Sequence, residues 1–349
     1  MDNYTLLFFF LSSFLVTYFA IPNLIRISKI KAAHTEINER SSHSHLVSSF
    51  GGIGIFLGLF FTCLTFSPNQ NLTEIKFLLV TQFIIFFLGL KDDIRPVSAK
   101  TKIAVQFICS LIIIFAANVR VESFYGVLGI NEIPNILSYI FTIFLFISLI
   151  NAFNLIDGID WLAGLITISA SSFLLLWFFI NYQYTEASVT LALIGSTLAF
   201  LIYNKSPAKI FMGDTGSLLI GLTITYLIIM FIKLNHETTG LELKLRSATT
   251  MAVSLVFIPV LDTLRVFCCR LMERRSPFSP DRNHIHHIIV DKGFSHVTAS
   301  IILFIINSAV IVISFFLNQI TGKVTIPLLF LLSFGILGLF STSKIRKSH

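Results

Sequence analysis

Charge is scarce in this chain. Asp, Glu, Lys and Arg make up 12% of its 349 residues, about half the usual share of roughly 25% in a soluble domain. No polar stretch is long enough to fold by itself, which leaves one integral membrane domain over 1–349. The four cysteines, Cys63, Cys109, Cys268 and Cys269, show no zinc or redox spacing and read as free thiols in apolar helices. No low-complexity segment and no clear internal repeat stand out. The first apolar run, Tyr4 to Ile21, lacks a basic leader and a small-residue cleavage site. It reads as a retained helix rather than a signal peptide.

What is abundant is hydrophobic sequence: 55% of residues, with a mean hydropathy of +0.85. Apolar runs near the length of a bilayer crossing recur along the chain. Eleven are counted, starting near Tyr4, Phe50, Lys76, Lys102, Ile136, Trp161, Ala187, Ser217, Ala248, Thr298 and Val324. The expected fold class is an all-α polytopic membrane protein with about eleven transmembrane helices. With the C-terminus cytoplasmic and the N-terminus outside, 19 Lys and Arg residues face the cytoplasm and 6 face out, as the positive-inside rule requires. The expected active-site face comprises cytoplasmic loops at about 22–49, 91–101, 151–160, 204–216 and 271–297. An interfacial turn of helix is placed outside, at Thr238 to Arg246. Gly54 and Gly58 form a small-xxx-small pair suited to close helix packing.

Every stretch rich in carboxylates or histidines falls on that one face. Asp92 and Asp93 end the third segment; they read as a solvated loop beside Lys91 and Arg95, or as a Mg²⁺ site or proton acceptor. In NAFNLIDGID, Asn151, Asn154, Asp157 and Asp160 recur every three residues, so neighbours share a helix face but the whole set does not. Gly158 breaks the helix and turns Asp160 away; the remaining amide and carboxylates offer hard oxygens for Mg²⁺, with a plain helix end and its capping residues as the alternative. In FMGDTGS, Asp214 lies between Gly213 and Gly216. Asp214, Thr215 or Ser217 fits a helix cap, and the glycines also admit a ligand close to the backbone. DRNHIHH carries Arg282, His284, His286 and His287, which suit an anionic phosphate or sugar better than zinc, since no thiol lies nearby; a plain basic loop is the blander reading. Asp262 and Arg265 read as a structural ion pair. A transporter reading is disfavoured, because its acids would lie near the midplane between repeated halves.

Taken in order, KDD, NAFNLIDGID, FMGDTGS, PVLDTLR and PDRNHIHH resemble the signature of the polyprenyl-phosphate N-acetylhexosamine-1-phosphate transferases, glycosyltransferase family 4. The HIHH form is similar to the branch using UDP-N-acetylglucosamine. The branch using UDP-N-acetylmuramoyl-pentapeptide is the alternative. The resemblance implies transfer of a sugar-1-phosphate to undecaprenyl phosphate with release of UMP, in the bacterial cytoplasmic membrane. It implies Mg²⁺, with Mn²⁺ as an alternative, held by Asp214 with Asn154 as ligand or near neighbour. It assigns catalysis to Asp92, Asp93 and Asp157, uridine binding to Asp160, Asn204 and Phe211, and sugar or phosphate contact to Lys102, Arg282, His284, His286 and His287. The implied partners are the UDP-sugar, the lipid phosphate and the bilayer, with no nucleic acid; a homodimer is left open. Trp161 departs from the family pattern, which has a small residue there.

Overall fold

The computed structural model describes residues 3–36, 47–66, 72–127, 130–273 and 284–320. Along the chain run α1 (Asn3–Glu36), α2 (Gly51–Phe66), α3 (Leu72–Ile94), α4 (Ala99–Ala116), β1 (Ser123–Val127), β2 (Ile130–Glu132), α5 (Asn135–Ile156), α6 (Leu162–Ile180), α7 (Tyr184–Tyr203), α8 (Gly213–Glu237), α9 (Ala248–Leu255), α10 (Phe257–Met272), α11 (Ile285–Asp291) and α12 (His296–Ile320). The all-α membrane class holds, with one addition: β1 and β2 pair as a short antiparallel hairpin. Its approach is already extended, with Val119 and Val121 both buried, a period of two that suits a strand. Val121 N–H donates to Thr142 Oγ1 and Ser138 Oγ donates to Val121 O, so α5 holds that segment in place.

Ten of the eleven expected apolar segments fall on these helices, and the one near Val324 lies outside the described residues. Fewer of these ten helical segments have the length and apolarity of a crossing. Among the described residues seven helices are long and apolar enough to cross a membrane, or eight if the bent pair α9–α10 is one span. Helix α2 has only 16 residues. The sequence of α3 has Glu74 and Lys76 near one end and Lys91, Asp92 and Asp93 near the other, which shortens its apolar stretch.

Helices α9 and α10 meet at 74°. A break at membrane depth leaves backbone groups that lipid cannot satisfy. Asn307 of α12 takes both: its Oδ1 accepts Ile258 N–H at 3.2 Å and its Nδ2 donates to Leu255 O at 3.2 Å. The kink is therefore paired on both sides.

Helix α8 is the central post. Of its most apolar stretch 89% is buried, against 22% for α1, and α2, α3, α5, α6, α7 and α9 all pack against it. Gly54 and Gly58 work as read from their spacing. A Cβ on Gly58 would come within 2.1 Å of Thr17 Oγ1, so only hydrogen lets α1 and α2 approach. The expected turn of helix at Thr238 to Arg246 is not formed. That segment is an irregular loop, because side chains rather than a helical ladder satisfy its backbone. Asn235 pairs with both the N–H and the carbonyl of Leu245, and Asn181 does the same for Leu243.

Candidate active site

Residues from four helices meet where α3 and α5 end and α4 and α8 begin. Asp93 fixes the start of α8: its Oδ1 accepts Asp214 N–H at 2.8 Å, and its Oδ2 accepts Thr215 N–H and the Thr215 hydroxyl. The expected cap from Asp214, Thr215 or Ser217 is therefore replaced by a carboxylate from another helix. A negative group there also complements the positive end of the helix dipole. Gly213 makes the entry tight. It has φ +70, and a Cβ would come within 2.3 Å of Ser49 O and 2.7 Å of Asp93 Oδ1. No residue with a side chain fits that corner.

This cap aims Asp214 at the mouth. Asn154 Nδ2 donates to Asp214 Oδ1 at 2.9 Å and to Ser217 Oγ at 2.9 Å. Lys102, in the first turn of α4, places its Nζ 2.5 Å from Asp214 Oδ2 and 2.7 Å from Asp92 Oδ2. Asp92 Oδ1 accepts Val97 N–H at 2.6 Å, which ties the carboxylate to the loop before α4. Three helices thus share one ammonium between two carboxylates. Charge-assisted bonds of this kind are short and hold geometry well.

Helix α5 ends at Ile156, with Asp157 at its C-cap. The residue as a whole is half-buried, yet its carboxyl is enclosed by protein near Gly213 N–H. Burial, joined by the negative charges of Asp214 and Asp93, pushes its pKa well above the ordinary carboxylate range, because the charged form is disfavoured on both counts. Asn151 stays on the helix and pairs with Gln106 of α4 through its amide, so it clamps α4 to α5 and stands apart from the acids.

Past Gly158 the chain turns, as read from the sequence, and Asp160 leaves the acid cluster. Asp160 is buried, its carbonyl accepts Ser300 Oγ, and its Oδ2 lies 3.9 Å from His296 Nδ1. Trp161 follows with φ +73, a left-handed conformation that is uncommon for a bulky residue. Two bonds hold it: its N–H donates to Asn204 Oδ1 at 2.7 Å and its indole Nε1 donates to Leu201 O at 2.9 Å. Asn204 also donates to Ile210 O, so this buried amide braces the 157–161 turn against the 204–211 loop. Phe211 stands open on that loop, 42% exposed, a face suited to stacking.

The histidine motif folds against the same turn. Asp262 does not reserve its carboxylate for Arg265: Oδ1 accepts Ile285 N–H at 2.7 Å, and Oδ2 lies 2.8 Å from His284 Nδ1. His284 and His286 are buried, while His287 is half-buried. A Cβ on Gly158 would fall 2.3 Å from His286 Nε2. Burial holds the His286 pKa down at about 3, so this ring is neutral. Of the three histidines, His287 has the most open position; Arg282 lies outside the described residues.

A model of the family described as glycosyl transferase family 4 matches residues 75–232, a span holding every candidate residue except those of the histidine motif. The undecaprenyl-phosphate alpha-N-acetylglucosaminyl 1-phosphate transferase of Salmonella typhi is 31% identical over 274 residues, covering 76% of this chain and 71% of that protein. The chain belongs to glycosyl transferase family 4. The Escherichia coli K12 protein of the same name is 30% identical over 303 residues, 84% of this chain and 78% of the relative. A probable undecaprenyl-phosphate N-acetylglucosaminyl 1-phosphate transferase of Bacillus subtilis is 28% identical over 325 residues, 93% and 88% of the two chains. Within this family 4 transferase, two contacts escaped the sequence reading. Ser217 lies in a motif already singled out, but its bond to Asn154 needs the fold. His296 begins a long apolar helix, and nothing in its local sequence ties it to Asp160.

Proposed function

We propose that this enzyme transfers N-acetylglucosamine 1-phosphate from UDP-N-acetylglucosamine to undecaprenyl phosphate and releases UMP. A phosphate oxygen of the lipid would attack the β-phosphorus of the donor, forming one P–O bond as the bond to UMP breaks. The observation that carries the reading is the convergence of Asp92, Lys102, Asn154, Asp157 and Asp214 at one mouth of an apolar helix bundle. A lipid acceptor needs the bilayer for its tail and a polar mouth for its phosphate, and that arrangement supplies both. The relatives' names supply the sugar and the lipid.

Asp92 and Asp214 already share a positive group, the Lys102 ammonium. Their hard oxygens suit Mg²⁺, or Mn²⁺ in its place. Asp214 would hold the ion. Asn154, whose amide donates to Asp214, would set that carboxylate's orientation or complete the ligand set. Such an ion offsets charge on the donor diphosphate. Lys102 would attract a phosphate, since two anionic substrates must approach each other. Asp92, ionised beside Lys102, would orient the acceptor. Asp157, whose enclosed carboxyl favours its protonated form, is the better group to exchange a proton with substrate. Asp93 acts by fixing the start of α8. Phe211 would stack on uracil, with Asp160 and Asn204 setting the walls of that site; Arg282, His284, His286 and His287 would frame the sugar and diphosphate.

The mouth is proposed to face the cytoplasm of a bacterial inner membrane, where nucleotide sugars are made, and the Lys and Arg bias supports this. The full set of about eleven spans belongs to the same proposal. The test is UMP release by the purified full chain with Mg²⁺ and undecaprenyl phosphate. UDP-N-acetylglucosamine should be used well, and UDP-N-acetylmuramoyl-pentapeptide poorly. A preference for the pentapeptide donor would overturn the sugar assignment.

A further inference from the structure

Asp214 has two carboxylate oxygens, and they are engaged differently. Oδ1 is taken from inside the bundle by Asn154. Oδ2 faces the mouth, and there it meets the Lys102 ammonium, which also meets Asp92 Oδ2. Asp92 and Asp214 would offer these same hard oxygens to a divalent cation. Among the described residues no three His, Cys, Asp or Glu side chains are gathered into a ready metal cage. We propose that Lys102 is an exchangeable resident cation: it fills the position between Asp92 and Asp214 in the resting enzyme and withdraws when a divalent ion enters. The proposal rests on the reading that Asp214 holds Mg²⁺.

An ammonium and a divalent ion at the same two oxygens would repel each other at close range, so the two compete for that position. The lysine has somewhere to go. Its side chain is 20% exposed, and its flexible four-carbon stem lets the ammonium swing without moving α4. Once withdrawn, the ammonium is unpaired and stands at the mouth, where an anionic phosphate is its natural partner. Entry of the ion and capture of phosphate by Lys102 are then one coupled event, and such coupling is reciprocal.

The test uses Mn²⁺ as the probe, with free ion followed by electron paramagnetic resonance on the purified full chain. Lys102→Met removes the competitor and should tighten Mn²⁺ binding by about tenfold or more, while Asp214→Asn should abolish binding in both backgrounds. A second measurement needs no variant. Reductive methylation of Lys102 in the wild-type chain, read by mass spectrometry, should be slow without metal and faster by several-fold in saturating Mn²⁺. Unchanged or weaker Mn²⁺ binding in the Lys102→Met chain, or a methylation rate indifferent to Mn²⁺, overturns the exchange. If binding still depends on Asp214, the metal reading survives that result. Mn²⁺ binding that ignores Asp214→Asn overturns both.

Discussion

Asp93 and Asp214 lie 121 positions apart in sequence, yet the carboxylate of the first receives the backbone N–H of the second at 2.8 Å. The acid pair on α3 is thereby divided by function. Asp92 faces the mouth, and Asp93 faces the backbone of α8. Removing the cap with Asp93→Ala should cost about 1–2 kcal/mol of stability and lower the melting temperature in detergent. Turnover should fall further than stability does, since Asp214 loses its aim. Asp93→Asn, which keeps one acceptor, should lie between. An unchanged melting temperature for Asp93→Ala would show that the cap does not hold α8.

Asp214→Asn keeps the shape of the side chain and removes its charge. Because Lys102 and Asn154 both bind this carboxylate, the variant should insert and purify normally while UMP release drops by about a hundredfold or more. Near-normal turnover in saturating Mg²⁺ would remove Asp214 from the ion.

His286 gives a pH prediction with a definite sign. Its folded-state pKa is about 3 against 6.5 for the free side chain, so protonation favours the unfolded chain. The contribution to stability is complete above pH 6.5 and is lost progressively as pH falls toward 3. Each pKa unit corresponds to about 1.4 kcal/mol, so the loss reaches roughly a few kcal/mol at the acid end. Thermal unfolding from pH 7.5 to 4.5 should show this slope, and His286→Gln should flatten it. Equal slopes in the two proteins would refute the buried neutral ring.

Sidedness is testable by thiol labelling in intact cells, in a background without the four native cysteines. Thr239→Cys, on the exposed loop after α8, should react with an impermeant reagent. Lys209→Cys, exposed between α7 and α8, should not. Labelling at Lys209 alone would invert the topology.

Much of the site was legible because its residues sit in short, polar interruptions of an apolar chain. The end of α5 near Asp157 follows from Gly158, and the close packing of α1 on α2 follows from the spacing of Gly54 and Gly58. What local pattern does not carry is the choice of partner. Nothing near Asp93 says that it caps α8, and nothing near Asp262 says that it binds His284 rather than Arg265. Both are decided by which helices lie side by side. The shape of a span is hidden for a related reason: an apolar run says how greasy a segment is, not whether it is straight. The 74° break before α10 left no mark on hydropathy.

That break gives α12 a duty that its sequence of greasy residues conceals. A generic run of leucines in its place would insert equally well, but would bring no amide to Ile258 and Leu255. The bend in the neighbouring span would then hold a bare donor and a bare acceptor in oil. From the same bend the chain runs on to Asp262, and Asp262 grips the first histidine of the motif. Helix α12 is therefore also a mounting bracket, and an exchange of this span between relatives succeeds only if Asn307 travels with it.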